Sequence, residues 1–600
     1  MRRRKNLLFL FVVAVGIAAV IAVPPQYRVA ALGAALLVAG VAFLIWSWIY
    51  QKPIDVKDVA AGHGQHGKSR WMNDTEKNSI FLSVPSGRET EPGFVIDFSA
   101  GHWRVDTSEH NVMLVAPPGS GKTTRIIIPT VRYNLAVNKN TGGHGASMVI
   151  LDCKGELYRR NAAQLQAAGY RTPALDLRNI SKSSRYNFIA NVNAAIDEYR
   201  AATDKLSKAR AYGRAERYAK VAASLLIDSD GAEVKSESSD YFNETARGLI
   251  TGVILLVSEY APAPQRHIIS VFNLILEMNG QIQGSGGFGQ PQKTKMEALL
   301  EKINDPRIRY YTGPATSADM RTSMNVFSSA LGKLVKFIDA ELEQVLIAHD
   351  SDFDAKTFIS QPSALFLISP DENTTRHFIS SLIVRNLMND LIEIAETEYG
   401  GVLPRKVLLL LDEFGQQPPI PDYDALSAAM RSRGGRLMIA LQDFAQLQKH
   451  YSKTKSEIIR GTNQTIITSF VAPAALSTAE TISKILGNET ILTGSSSIQQ
   501  GKTSSTKSLV GRPLMSPSDL ITMPVGEFIV IRGTAHPLKV TPPGYWTYLE
   551  DAPEPQRPDL EYREVQVADA DLLSARAGVL SYDLTPGMFD IEENEDPLPA

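Results

Sequence analysis

The sequence predicts an α/β fold with a mostly parallel, buried sheet and an N-terminal transmembrane helical hairpin. Three observations predict it. An apolar strand at Val112–Val115 runs into a Gly-rich turn that ends Gly119-Ser120-Gly121-Lys122-Thr123. A second apolar run, Val407–Leu411, ends in Asp412-Glu413, and two long uncharged apolar runs stand near the N-terminus.

Six hundred residues correspond to several domains at about 150 residues each. The hydrophobic fraction of 44% excludes wholesale disorder, and a single cysteine, Cys153, excludes a disulfide framework or a thiolate-rich zinc cluster. The net charge of −2 hides a gradient. Residues 1–52 carry six basic side chains and no acid, whereas residues 551–600 carry thirteen acids against Arg557, Arg563 and Arg576. The near-neutral body between them argues against a generally DNA-coating surface.

The head comes first. Leu7–Val23 and Val29–Tyr50 are apolar runs of 17 and 22 residues, and a bilayer core takes about 20 helical residues. Only Pro24–Arg28 separates them, a turn that suits a hairpin. A cleaved signal peptide would explain the first run alone, but a second run five residues later favours two spans. Arg2, Arg3, Arg4 and Lys5 ahead of the first run, against Arg28 in the turn, place the N-terminus in the cytoplasm. Two crossings return the chain there, with Trp46, Trp48 and Tyr50 as an interfacial belt.

The turn after Val115 reads Ala116-Pro117-Pro118-Gly119-Ser120-Gly121-Lys122-Thr123-Thr124 and fits the phosphate-binding loop, with Ala116 replacing the usual first glycine. Successive backbone N–H groups must wrap a phosphate, which Gly119 and Gly121 permit because they lack a Cβ. Lys122 is placed to reach the β- and γ-phosphates of ATP and the Thr123 hydroxyl to bind Mg²⁺, with the N-terminus of the following helix adding its positive end. Five apolar residues at Val407–Leu411 read as a parallel strand buried on both faces. Asp412 at its end would hold the Mg²⁺ through water, and Glu413 would orient the attacking water. A third strand, Arg436–Leu441, ends at Gln442, a candidate γ-phosphate sensor. Just before it, Arg431 and Arg433 are candidates for an arginine finger reaching a neighbouring subunit, Arg431 being preferred. The reading requires the loop near 122 to face the acidic pair near 412 across adjoining strands.

These motifs, with Ile150-Leu151-Asp152-Cys153-Lys154-Gly155-Glu156-Leu157, Tyr186-Asn187-Phe188, Leu441-Gln442-Asp443, Gly67-Lys68-Ser69-Arg70-Trp71 and Arg512-Pro513-Leu514, resemble the TraG/VirD4 family, the coupling proteins of type IV secretion and conjugation. The resemblance covers roughly residues 60–550 and the double-span head. It implies a RecA-like P-loop NTPase motor, a homo-hexamer on the bacterial inner membrane, that delivers single-stranded DNA with its relaxase, or effector proteins, to a type IV secretion channel. The chain departs from the family at Cys153, where proline is common, and in its short turn between the spans.

The resulting organisation is two transmembrane helices at 1–52, a first nucleotide-binding part at 53–189, the all-helical insertion that the resemblance implies at 190–345, a second nucleotide-binding part at 346–550 and an acidic, disordered tail at 551–600. Ala364–Ile368 is the next buried strand after the insertion, and Gln281–Gln292 reads as a flexible loop within it. Tyr199–Lys220 reads as one helix with seven cations; an ordinary solvated helix whose tyrosines pack inward is the preferred reading, and the alternative is that the cations neutralise phosphates of a passing strand while Tyr212 and Tyr218 stack on its bases. Gly501-Lys502-Thr503 mimics a phosphate loop but has no leading strand, and the Ser-rich stretch 494–508 around it reads as a surface loop. His63 and His66 have no carboxylate or thiol nearby to complete a metal site. The acidic tail is also a candidate recruitment segment for a basic partner. Two rival functions share the core: a DNA-pumping ATPase of the FtsK/HerA kind, and a docking receptor whose nucleotide site is regulatory.

Overall fold

The structure is a computed structural model and describes residues 21–50, 59–60, 64–228, 237–280, 282, 293–348, 351–370, 375–499 and 502–580. They belong to two units, Met1–Ser69 with Gly487–Leu514 and Arg70–Leu486 with Met515–Ala600.

In the first unit Arg28–Tyr50 (α1) is one 23-residue helix, entered through a 3₁₀ turn at Pro25–Tyr27. Most of the run Leu7–Val23 lies outside the described residues, and among the described residues no helix is long and apolar enough to cross a membrane. The same unit holds an antiparallel hairpin, Asn488–Gln499 with Lys502–Pro513, on which Val59–Ala60 pairs. This corrects the surface-loop reading of 494–508. Serine favours turns where no partner strand competes, and here the two strands pair residue for residue from Asn488 with Pro513 to Gln499 with Lys502, so each backbone finds its ladder.

The second unit is built on nine strands: β1 (Val112–Val115), β2 (Ser147–Asp152), β3 (Ala174–Asp176), β4 (Ala364–Ile368), β5 (Val407–Leu411), β6 (Gly435–Leu441), β7 (Thr465–Thr468), β8 (Phe528–Arg532) and β9 (Leu538–Val540). They lie in the order β9-β8-β7-β1-β6-β5-β2-β4-β3. From β7 to β3 every neighbouring pair is parallel, while β8 and β9 add an antiparallel edge. Every residue of β1, β2, β4, β5 and β6 is buried, which is the state that near-continuous apolar runs demand. Helices Ile128–Asn140 (α2) and Glu156–Ala167 (α3) bring Ile128, Val131, Leu157 and Leu165 onto the sheet residues Leu114, Met148 and Ile150. Since β6 and β5 intervene between β1 and β2, the carboxyl ends of these strands open a crevice where α/β sheets bind ligands. The adjoining-strand expectation is corrected here: β6 stands between β1 and β5 and hydrogen-bonds both. A small antiparallel sheet, Leu82–Pro85, His102–Asp106 and Phe94–Ser99, packs Trp103 against Tyr133 of α2.

Between β3 and β4 the described residues form helices and no strand. Gln281–Gln292 lies outside the described residues apart from Ile282. The single basic helix resolves into two, Ala190–Ala201 (α4) and Lys205–Asp228 (α5). Tyr212 faces inward, its ring 3.9 Å under the Arg307 guanidinium, which agrees with the inward-packed reading and not with the base-stacking one. Arg200, Arg214 and Arg217 are occupied by Asp197, Glu198 and Glu393 respectively.

The disordered tail is corrected as well, for residues 551–580. Asp551 pairs with Arg160 at 2.7 Å, and the Leu560 N–H donates to the Ser181 carbonyl at 2.5 Å. Arg557 pairs with buried Asp176 at 2.7 Å and lies over the Tyr158 ring. Farther on, the Ala568 N–H donates to Ser270 Oγ at 3.1 Å, and the helix Ala570–Leu580 buries Leu573 and Ala577. Composition predicted disorder because the anchors are few; Ala568, Leu573 and Ala577 are buried, and the hydrogen-bond and ion-pair partners Arg160, Asp176 and Ser270 lie hundreds of residues away.

Candidate active site

The loop after β1 is shaped before any ligand arrives. The Ala116 N–H donates to the Leu441 carbonyl at 2.8 Å, fixing the loop's start to the end of β6. Gly119 and Gly121 take φ of +78° and +90°, in the left-handed region where a side chain is strained. Ser120 is fully buried and its Oγ has no partner. Lys122 then turns into a π-helical turn at Thr123–Ile127 that leads into α2.

Opposite stands the end of β5. Thr123 Oγ1 donates to Asp412 Oδ2 at 3.0 Å, and Lys122 Nζ lies 3.7 Å from Asp412 Oδ1 while pairing directly with Glu413 Oε1. Glu413 has φ of +50°, an uncommon conformation for a non-glycine residue. It is secured by its own N–H donating to Asp412 Oδ1 at 3.0 Å and by two amides on Oε2, Gln442 Nε2 at 3.1 Å and Gln416 Nε2 at 3.3 Å. Strain of this kind costs on the order of 1–3 kcal/mol and survives where surroundings over-determine it. Together these groups line a cleft of about 400 Å³ that runs from Pro117 to Thr124 and includes Asp152, Lys154 and Glu156.

Burial sets the electrostatics. It pushes the Asp412 carboxyl above its ordinary value, against the opposing pull of Lys122. Burial likewise raises Asp152 to about 6, partly offset by the N–H groups of Tyr158 and Leu157. The Cys153 thiol is pushed up by burial and by the carboxylates around it, so it is a poor nucleophile. Its sulfur accepts from Gln417 Nε2 at 3.5 Å.

The structure thus brings Ala116 to Thr124, Asp412, Glu413 and Gln442 to one place. It does not bring Arg431 there. Arg431 closes the helix Tyr423–Ser432, ahead of the amino end of β6, whereas Gln442 follows the carboxyl end; seven strand residues at about 3.3 Å each separate the two ends. Arg433 pairs with Glu396 at 2.6 Å. Lys154, Glu156 and Gln416 were missed as cleft residues. The first two follow Asp152 by two and four residues, and Gln416 follows Glu413 by three, so proximity in sequence to a strand end was the available signal.

A parallel sheet with a phosphate loop on β1, an Asp-Glu pair on β5 and a glutamine on the strand between them defines a P-loop nucleoside triphosphatase. The family model of type IV secretory system conjugative DNA transfer matches residues 70–570, and the chain belongs to that family. Solved structures agree on the fold. The bacterial conjugative coupling protein TrwBΔN70 in its unbound monoclinic form is 14% identical, with a TM-score of 0.53 over 84% of this chain and 100% of that one. Plasmid coupling protein TrwB in complex with ADP and Mg²⁺ is 14% identical with a TM-score of 0.54, over the same 84% and 100%. Its complex with the non-hydrolysable ATP analogue ADPNP is 13% identical with a TM-score of 0.55, again over 84% and 100%. No curated protein matches the chain.

Proposed function

We propose that the chain is a membrane-anchored ATPase that recruits cargo and couples it to a type IV secretion channel, with translocation driven by ATP hydrolysis. One observation carries this reading: Lys122 and Thr123 meet Asp412, Glu413 and Gln442 inside one cleft of nucleotide size. Family membership and the TrwB complexes with ADP, Mg²⁺ and an ATP analogue support it.

The residues fit a triphosphate and its metal. Ser120 offers a buried hydroxyl without a partner, the left-handed glycines leave the loop N–H groups bare of side chains, and a hydroxyl–carboxylate pair stands at Thr123 and Asp412. Thr123 and Asp412 would hold Mg²⁺, which when bound supplies positive charge to the phosphate oxygens. Lys122 exchanges Glu413 for the phosphates. Glu413, so released, accepts a proton from the attacking water and orients it, and Gln442, already bonded to Glu413, reports the change to β6 and its neighbours.

The remaining assignments follow from the sequence. The two apolar runs form a two-pass anchor in the bacterial inner membrane, with the N-terminus and the bulk of the chain cytoplasmic. Arg431, remote from its own cleft, serves a neighbouring subunit's site in a homo-hexamer. The cargo is single-stranded DNA with relaxase proteins, or an effector protein. Glu413→Gln tests the motor reading: it should bind ATP yet stop both hydrolysis and transfer. Transfer that persists would instead mark a docking receptor.

A further inference from the structure

We propose that Arg125 is a positioning residue for the nucleotide, bracing the phosphate loop against the two ends of the antiparallel edge pair β8–β9. This rests on the nucleotide reading of the cleft. The observation is a threaded side chain. The stem of Arg125 crosses Gly121 of the phosphate loop, where an added Cβ would lie 2.8 Å from Arg125 Cδ. Its guanidinium continues over Gly526, where a Cβ would lie 2.7 Å from Cζ and 3.0 Å from both Nε and Nη2. Nη1 then donates to the carbonyl of Pro542, 417 positions further along the chain. Gly526 precedes β8 and Pro542 follows β9.

Both glycines are left-handed, at φ +90° and +87°, so each is free of side chain on the face that Arg125 occupies. No carboxylate among the described residues pairs with Arg125, which holds backbone alone. The residue also sits inside the π-helical turn Thr123–Ile127, closed by the Ile128 N–H on the Thr123 carbonyl. A π-turn is a rare, wider first turn that needs outside support, and Lys122 and Thr123 stand at its start. A guanidinium clamped on a carbonyl and seated between two glycines supplies that support and sets both side chains before a nucleotide arrives. The benefit is preorganisation: less ordering is left to the binding step.

The test measures binding of a non-hydrolysable ATP analogue with Mg²⁺ to the full chain, beside KM and kcat for ATP. Arg125→Ala should weaken binding about tenfold, the scale of one charge-assisted hydrogen bond, with the loss appearing in KM far more than in kcat. Arg125→Lys, which reaches the carbonyl without the planar fork, should recover part of the affinity. Gly526→Ala keeps the charge but evicts the guanidinium, and should weaken binding as much as Arg125→Ala. The double variant should be no weaker than either single one. If Gly526→Ala does not fold, Arg125→Met, which keeps the stem, replaces it and must show the same tenfold loss. Wild-type affinity in Arg125→Ala overturns the brace. So does wild-type affinity in Gly526→Ala, which would leave charge alone as the cause, or a double variant whose losses multiply. Failure of the wild type itself to bind the analogue overturns the nucleotide reading, a separable result.

Discussion

Lys122 is already spoken for. Its side chain is 7% exposed and its ammonium pairs with Glu413, whose side chain is 12% exposed, so a triphosphate must compete with a carboxylate for it. Glu413→Gln removes that competitor while leaving a side chain of the same shape, still able to meet Gln442 and Gln416 through its carbonyl. The pair being displaced is a nearly buried charge-assisted hydrogen bond, worth about 1.5–3 kcal/mol. At 1.4 kcal/mol per factor of ten, the variant should bind the ATP analogue about ten- to a hundredfold tighter than wild type. Coupling to the conformational release of φ +50° at Glu413 does not alter the sign, because the backbone is the same in both. Calorimetric titration of the full chain with analogue and Mg²⁺ reads this directly, with Gln442→Ala as the control: it strips a neutral donor from Glu413 and should leave affinity within about threefold. Equal or weaker binding by Glu413→Gln would refute the competition argument, whatever happened to hydrolysis.

Three further outcomes are expected. Thr123→Val removes the hydroxyl bonded to Asp412 at 3.0 Å; it should make nucleotide binding insensitive to Mg²⁺ and lower kcat by about 10²-fold or more, read by titrating Mg²⁺ at fixed ATP. Arg557→Ala leaves Asp176, 5% exposed, without its 2.7 Å partner and should cost about 3 kcal/mol of stability, measured by urea denaturation; an unchanged midpoint would show that 551–580 carries no load. His267 is held down to about 4 by burial, below its ordinary 6.5. Fewer protons bind in the folded state than in the unfolded one between these values, so stability is full above 6.5 and falls as pH drops toward 4, by up to about 3 kcal/mol. Its Nε2 contacts the Gln566 carbonyl at 3.0 Å and its Nδ1 accepts from the Ser270 N–H at 3.3 Å, so protonation breaks the second bond; hydrogen exchange at Ser270 and Ala568 should rise selectively between pH 6.5 and 4.5.

The site was legible in sequence because its chemistry is local. Gly119, Gly121, Lys122 and Thr123 occupy one turn, and Asp412 and Glu413 are the two residues that follow an apolar run. A strand buried on both faces cannot alternate, so Val407–Leu411 and Arg436–Leu441 announced themselves and their carboxyl ends together. What periodicity does not contain is lateral order. Nothing in the run Arg436–Leu441 says that it lies between β1 and β5, although that position is what lets Gln442 reach Glu413 while Leu441 anchors Ala116.

The tail failed for the opposite reason: there the deciding contacts are few and distant. Averaged over fifty residues, the acidic segment shows prolines and charge; its hold on the fold depends on single groups such as Arg557 over Tyr158 and Ala568 beneath Ser270. Disorder follows from composition only when no buried site elsewhere is waiting for one of those groups. Asp176 is such a site, since a carboxylate that is 5% exposed demands a cation. On α5 the same logic decides between the two readings. A run of cations suggests a nucleic-acid face, yet Tyr212 is spent on Arg307, and Arg214 and Arg217 are spent on Glu198 and Glu393. A basic stretch therefore offers a phosphate surface only in proportion to the cations its own neighbours leave unmatched, a quantity fixed by packing and invisible in the order of residues.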